Sequence, residues 1–377
     1  MNIAIDCADL DHSRIDGTRV YIKQLLDWFG KLDKNNNFML YHQTSFNKEL
    51  KPATFENYNE RKIKPYWWWT QTVFAADLRY SKPDVCWMPI QQVPFIGPRK
   101  TKYVVTIHDL AFKFFPRHFP KKDLWKLNFF TDSAINRADK IIAISNATKK
   151  DILRLYPKIK GNKIHVVQHG FDVQHFSKKR NETEILKIKE RLKILNNQKD
   201  KYLLYVGALQ PRKDLVTLVK AFEKIKKDSA NSNLKLILAG EVAWMADGII
   251  AAVKESDYSK EIILTGKVTF EDLAVLYQIA EIFVFPSLYE GFGIPILESF
   301  ASGTPVVTAD NSSLIEVGGN AAKFFKTGEI ASLEKVLLKI LKSSKIKEEM
   351  ITSGIKRAKE FSWKESAKKT LNILKEI

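Results

Sequence analysis

Phe283 to Thr308, FVFPSLYEGFGIPILESFASGTPVVT, constrains the fold more than any other stretch of this 377-residue chain. Phe283-Val284-Phe285 is a short apolar run of the kind that forms a strand buried on both faces of a parallel sheet. Pro286 ends its ladder. A loop with Gly291 and Gly293 follows, and Pro295 suits the first turn of a helix. That helix is expected to end near Ser302-Gly303, and Pro305-Val306-Val307 starts another strand. A strand, a glycine loop and a helix N-terminus together make an anion site. Glycine lets the backbone come close, while free N–H groups and the positive end of the helix dipole face the ligand.

Two carboxylates flank the loop. Glu290 precedes it, and Glu298 falls in the first turn or so of the expected helix. A carboxylate there can accept the two hydroxyls of a ribose diol. A helix-capping Glu and an exposed loop Glu are the plainer alternative, and spacing alone leaves both readings open.

The rest of the chain alternates strand and helix. In the C-terminal half, strands are expected near 202–206, 234–239, 262–265, 282–285 and 305–308, with helical segments between, which implies a parallel sheet covered on both faces. In the N-terminal half, strands are read at Asn2–Asp6, Phe38–Tyr41, Val85–Met88, Lys102–Ile107, Lys140–Ser145 and Ile164–Val167, with helices at Val20–Phe29 and Asn146–Leu155. Residues 176–200 are polar and lysine-rich, so the boundary falls there. Ligands in such sheets bind at the carboxyl ends of strands. That rule points to Gly17 after the first strand, His108 after the Lys102–Ile107 strand, and Gly207 with Arg212 and Lys213 after the 202–206 strand, although Gly17 also suits a simple turn and a lone histidine is more often structural than catalytic. A guanidinium fork and an ammonium before a helix suit a phosphate, although a surface Arg-Lys pair is common. Gly240 and Lys267-Val268 end two further strands.

EGFGIPILE, with Pro286-Ser287 before it and Glu298-Ser299-Phe300 and Gly303-Thr304-Pro305-Val306-Val307 after it, resembles the E-x7-E signature of the GT4 family of retaining glycosyltransferases. TIHDLAF around His108 resembles that family's cleft-histidine segment. Gly17-Thr18-Arg19 resembles its first glycine loop, with one glycine where many members have a pair. His169-Gly170-Phe171-Asp172 resembles its turn into the linker, and His169 is assigned no chemistry.

The resemblance implies an α/β GT-B fold, two Rossmann-like β/α/β domains facing an interdomain cleft. The N-terminal acceptor domain would be 1–175, completed by a C-terminal helix at 361–377. A linker would occupy 176–200, and the nucleotide-sugar donor domain 201–360. The implied activity is that of a hexosyltransferase, with no metal and no cofactor beyond its nucleotide-sugar substrate. His108 would lie at the reaction centre, with Asp109 orienting it. Arg212, Lys213 and the amides near Gly291, Phe292, Gly293 and Ile294 would hold the donor diphosphate. Glu298 would bind the ribose and Glu290 the donor sugar. Gly17, Gly207 and Gly240 would line the donor site, and Lys267 or Val268 would pass the base. Asp9-Leu10-Asp11 is formally the metal motif of the other large glycosyltransferase fold, but two acids in a polar loop are common and it is discounted.

Composition bounds the remaining questions. Lys and Arg number 61 against 43 Asp and Glu, a net charge of +18. Such a charge suits nucleic acid, an anionic membrane surface or an anionic ligand. There is no zinc-finger spacing, no RNP-like aromatic motif and no uninterrupted basic tail, so no nucleic-acid partner is expected. Much of the lysine falls on helical segments at 183–193 and 334–348, read as solvated faces. Cys7 and Cys86 read as buried thiols. No apolar run is long enough to span a bilayer, and MNIAIDC has no signal-like start, so a cytoplasmic protein is expected.

Two aromatic stretches stand apart. Trp67-Trp68-Trp69 reads as a partly buried helix start, with a sugar- or lipid-contacting platform as the alternative. Phe112 to Phe130 interleaves basic residues and aromatics, which suits peripheral contact with an anionic membrane at the inner face, a lipid-diphosphate acceptor, or packing against its own domain. GDP-mannose is favoured slightly over UDP-glucose as donor, and the acceptor would be a glycan or a lipid-linked glycan of the cell surface. Two rivals remain: a glycoside hydrolase using Glu290 and Glu298, and a non-catalytic nucleotide-sugar-binding protein on the same fold.

Overall fold

A computed structural model describes residues 1–194, 197 and 199–377. Residues 195, 196 and 198, within the expected linker, lie outside the described residues. The chain forms two compact units. One comprises Met1–Phe114, Lys121–Gly170 and Ser362–Ile377, the other Phe115–Pro120 and Phe171–Phe361.

The first unit holds strands β1 (Asn2–Asp6), β2 (Asn37–His42), β3 (Tyr58–Lys62), β4 (Val85–Met88), β5 (Lys102–Ile107), β6 (Lys140–Ala143) and β7 (Ile164–Val166). They form one sheet in the order β3-β2-β1-β4-β5-β6-β7, and every pair is parallel. The order reverses direction between β1 and β4, the switch point of a doubly wound fold. β4 and the interior residues of β1 and β5 are fully buried, as continuous apolar runs require. β3, with sequence YNERK, is an edge strand of mixed exposure and has no apolar signal to betray it.

The first helix runs Gly17–Leu32, three residues earlier than its apolar periodicity suggests, because the Asp16 side chain accepts from Arg19 N–H and caps it. The helix Trp363–Lys375 packs on it. Lys375 pairs with Asp33 at 2.6 Å, and a Cβ on Gly170 would fall 2.0 Å from the backbone nitrogen of Trp363. The C-terminal segment is therefore pressed into the first unit. Cys7 and Cys86 are free and buried.

The second unit holds β8 (Lys201–Val206), β9 (Leu234–Ala239), β10 (Ile262–Gly266), β11 (Ile282–Phe285), β12 (Val306–Ala309) and β13 (Lys323–Phe325), parallel throughout in the order β10-β9-β8-β11-β12-β13. Its switch point lies between β8 and β11. The lysine-rich segment read as one helix over 334–348 is two, Ile330–Leu341 and Ser344–Ala358. Ser343 separates them, its hydroxyl accepting from Ile346 N–H at 3.3 Å. Lys335, Lys339 and Lys345 on these helices, and Lys342 between them, are exposed, as expected of a solvated face.

Trp67 and Trp68 depart from the expected partial burial. Trp69 alone is buried at 6% exposure, while Trp67 is 73% and Trp68 43% exposed. Trp68 takes a left-handed conformation at φ 53°, which turns the chain before the short 3₁₀ helix Trp69–Gln71. Among the described residues no helix is long and apolar enough to cross a membrane.

Candidate active site

In the second unit the switch point explains the site. Loops leaving the carboxyl ends of adjacent strands β8 and β11 emerge side by side, so residues 207–213 meet residues 286–293. Lys213 Nζ lies 2.5 Å from Glu290 Oε1, and Arg212 Nη1 lies 3.2 Å from Glu290 Oε2. Arg212 also donates to the Tyr289 carbonyl, and its own carbonyl accepts from Leu288 N–H at 2.9 Å. Lys213 Nζ sits 5.2 Å from the centre of the Phe285 ring. Burial pushes the Glu290 carboxyl up, but Lys213 and then Arg212 outweigh it and hold it at about 2. Glu290 is thus a carboxylate at any physiological pH, with two cations fixed on it.

The helix after this loop begins at Ile294, with Gly293 as its N-cap at φ 113° and Pro295 in its first turn. Glu298 is its fifth residue, at the end of the first turn, as the sequence suggested. Its carboxyl is buried and accepts from the Tyr277 hydroxyl at 2.8 Å. Burial dominates, and the Tyr277 hydrogen bond offsets it only in part, so Glu298 is pushed up to about 7. The two carboxylates of the E-x7-E spacing therefore have opposite environments: one is ion-paired, the other buried beside a phenol.

The glycines have a steric logic. Gly207 and Gly240 have φ of 143° and 147°, and a Cβ on Gly240 would fall 2.0 Å from the Gly207 carbonyl oxygen. The two loop backbones touch, bringing the ends of β8 and β9 to one edge. Lys267 after β10 is exposed and Val268 partly buried. Phe292 is buried against Phe361, ring centres 5.9 Å apart, so only its backbone is suited to a ligand.

Residues not singled out from the sequence hold this loop. Ser313 Oγ donates to the carbonyls of Glu290 and Phe292, each at 2.8 Å, and Ser312 Oγ accepts from Glu290 N–H at 3.0 Å. Asn311 Nδ2 donates to the Ser287 carbonyl at 2.9 Å. A polar NSS triplet after a strand was the available signal. Tyr277, buried in the core, has a polar partner as well, the Glu298 carboxyl. The crossing segment Phe115–Pro120 also reaches the site: the Phe115 and Tyr289 rings are 6.3 Å apart, and Trp244 Nε1 donates to the His118 carbonyl at 2.9 Å. Burial and then the nearby Arg212 charge lower the His118 pKa.

Gly17 and His108 belong to the first unit. Gly17 opens its helix, and a Cβ there would meet nothing within 4 Å. His108 Nε2 lies 2.8 Å from the Pro89 carbonyl, so the loops after β4 and β5 are tied together. Because a carbonyl can only accept, Nε2 carries the proton and Nδ1 is the basic nitrogen. Burial lowers the His108 pKa, and the ring stays neutral near pH 7. Asp109, expected to orient this ring, instead accepts from Ala111 N–H at 3.0 Å, and the Pro89 carbonyl takes the orienting place. Asp9 pairs with Arg19 at 3.9 Å, while Asp11 accepts from the amides of Gln43 and Thr44.

Two parallel doubly wound sheets, with a cation pair and a helix N-terminus at the second switch point, define a glycosyltransferase of the GT-B fold. The chain belongs to the family of glycosyl transferases group 1, whose profile matches residues 152–357, and the profile of Glycosyltransferase Family 4 matches residues 38–175. It is 28% identical over 281 residues to O-antigen chain mannosyltransferase B of Escherichia coli, covering 74% of this chain and 72% of that one. It is 27% identical over 237 residues to the serotype-specific mannosyltransferase WbdA of E. coli, where the match spans 61% of this chain and only 28% of that longer protein. The solved structure of Anabaena HepE in complex with UDP and glucose shares the fold, with a TM-score of 0.74 at 16% identity over all of this chain and 99% of that one.

Proposed function

We propose that this glycosyltransferase moves mannose from GDP-mannose to a hydroxyl of a glycan or lipid-linked glycan, with retention at the anomeric carbon, in the synthesis of a cell-surface polysaccharide. The observation that carries the reading is the convergence of Arg212 and Lys213 on Glu290 beside the N-terminus of helix Ile294–Ser302. Departure of a nucleoside diphosphate leaves charge on its phosphates, and fixed cations and free amides stabilise that charge as it develops. Arg212, Lys213 and the amides at Gly291–Ile294 would take the diphosphate. Glu298 would accept the ribose hydroxyls, and Glu290, an ionised carboxylate, would hold the donor sugar and face the positive charge that grows on it. His108 would lie near the transferred sugar. No side chain serves as a covalent nucleophile in this reading. The acceptor attacks from the face the diphosphate leaves, and the departing phosphate takes its proton. Mannose is supported by the names of two relatives, the O-antigen chain mannosyltransferase B and the serotype-specific mannosyltransferase WbdA.

A thermal-shift panel of GDP, UDP, ADP and their sugar conjugates, run beside Lys213→Ala, tests the donor. Selective stabilisation by GDP and GDP-mannose, lost in Lys213→Ala, is expected. NMR of the product anomer formed on a mannan oligosaccharide acceptor then tests retention. Stabilisation by uridine nucleotides alone overturns the mannose donor. No nucleotide response, with release of the aglycone from an aryl glycoside, overturns the transferase in favour of a hydrolase. Nucleotide-sugar binding without turnover on any acceptor makes it a binding protein.

A further inference from the structure

A face of the first unit carries aromatic rings that this chain leaves in water. Trp67 and Trp68 stack at 5.0 Å between ring centres, and Trp68 meets Phe130 edge-on at 6.1 Å. Phe95 lies 6.2 Å from Phe130 and 5.5 Å from Phe129, and Trp125 stacks on Phe129 at 5.5 Å with planes 6° apart. Three segments far apart in sequence thus build one continuous aromatic ladder. Its members Trp67, Trp68, Trp125 and Phe129 are 73%, 43%, 59% and 42% exposed, and Ile96, beside Phe95 in sequence, is 62% exposed. A soluble domain seldom leaves such a contiguous group uncovered without a partner.

The chemistry around the ladder selects the partner. Trp125 and Phe129 share one face of helix Lys121–Arg137, four residues apart. Lys121, Lys122 and Lys126 are exposed on the same turns, with Asp123 the one acid among them. At the far end Arg137 donates to the Phe95 carbonyl. Tryptophan and phenylalanine beside lysine on a helix that lies along the surface is the composition of an interfacial segment. The rings enter the headgroup and acyl boundary, and the ammonium groups meet anionic headgroups. A net charge of +18 over the chain adds attraction to a negative surface. A second copy of this chain would bring the same positive charge to the face, so charge opposes self-association there.

We propose that the face built from Trp67, Trp68, Trp125 and Phe129 with Lys121, Lys122 and Lys126 docks on the surface of an anionic phospholipid bilayer. The proposal stands apart from the donor reading: the bilayer needs no nucleotide, and neither result depends on the other.

The test is cosedimentation of the full chain with vesicles of phosphatidylcholine alone, or with one third phosphatidylglycerol, at low salt and at 0.5 M NaCl (roughly a threefold shorter screening length than at low salt). Binding is expected to the phosphatidylglycerol vesicles, with a blue shift of tryptophan emission, and little binding to phosphatidylcholine or at high salt. Trp125→Ser with Phe129→Ser should lower the bound fraction at least fivefold. Lys121→Gln with Lys122→Gln and Lys126→Gln should do so too. All three lysines are exposed, so this second variant decides the matter if the aromatic one fails to fold. Three results overturn the proposal: no binding to either vesicle, binding that both variants leave intact, or binding that appears only when a polyprenyl-linked glycan is added. Sedimentation velocity showing a dimer that the aromatic variant dissociates, without vesicle binding, assigns the face to a second copy and overturns it equally.

Discussion

A Cβ on Gly240 would fall 2.0 Å from the carbonyl oxygen of Gly207, and both residues hold φ values only glycine adopts with ease. The contact clamps the ends of β8 and β9 together beside the cation pair. Gly240→Ala cannot be accommodated without moving that backbone. A loss of about 3 kcal/mol or more is expected, a drop of roughly 6–12 °C in the melting midpoint. Gly17→Ala is the contrast, since a Cβ there meets nothing within 4 Å. It should change stability by less than about 0.5 kcal/mol. Differential scanning calorimetry of the two variants decides; equal losses would mean that the close approach at Gly240 contributes nothing.

Glu290 pairs with Lys213 and Arg212, and on the proposed reading it competes with the donor diphosphate for them. Glu290→Gln releases both cations, so GDP should bind threefold or more tightly, measured by titration calorimetry. On the proposed reading, sugar transfer should nevertheless fall by about 10³-fold, because the carboxylate that would face the developing charge is gone. The acid limb of stability follows from the same pairing. The folded pKa, about 2, lies below the ordinary value of 4.5, so the stabilisation is fully present above pH 4.5 and is lost as pH falls through 2. Its size is about 3 kcal/mol. Denaturation midpoints of wild type and Glu290→Gln between pH 2 and 6 should converge at the acid end.

Glu298 has the opposite sign. Its folded pKa of about 7 lies above 4.5, so between those values the folded state binds the extra proton. Stability therefore declines as pH rises from 4.5 through 7 and the penalty is complete above 7. Glu298→Gln should stabilise the unliganded protein by about 3 kcal/mol at pH 8 and by little at pH 4.5. On the proposed reading the ionised Glu298 accepts the ribose diol, so GDP affinity should rise with pH through about 7 in the wild type. The variant should lack that rise. The nucleotide's own phosphate titration is common to both proteins and cancels in the comparison.

Much of this site was legible because the chemistry sits next to strong periodic signals. β8 and β11 are short apolar runs, so the loops after them could be placed before any fold was known, and Arg212, Lys213, Glu290 and Gly293 fell into those loops. Glu298 was placed to within a residue because Pro295 marks the first turn of its helix. Tyr277 and the Asn311-Ser312-Ser313 clamp were missed, since their roles are contacts across the fold, and neither period nor spacing encodes these. The segment Phe115–Pro120 joins the second unit although both its flanks belong to the first. A reading by consecutive sequence has no means of seeing that. The polar edge strand β3 and the exposed Trp67-Trp68 pair fail for a related reason: each breaks the rule that strands are apolar and tryptophans buried.

His108 offers the sharpest separation of structural from chemical work. Its Nε2–H is committed to the Pro89 carbonyl at 2.8 Å, leaving Nδ1 as the nitrogen able to accept a hydrogen bond from a sugar hydroxyl. Glutamine places an N–H near Nε2 but offers no acceptor at Nδ1, so His108→Gln keeps the tie to Pro89. If the ring only fastens the loops after β4 and β5, that variant should keep full activity. If Nδ1 acts on the sugar, kcat should fall about 10²-fold while the melting midpoint and the response to GDP stay at wild-type values. Burial lowers the pKa, so the imidazole is neutral through the physiological range. The wild-type rate should then be flat near neutrality and fall only at a pH below the ordinary histidine range, and His108→Gln should lack that limb. Full activity in His108→Gln would assign the residue to the fold alone.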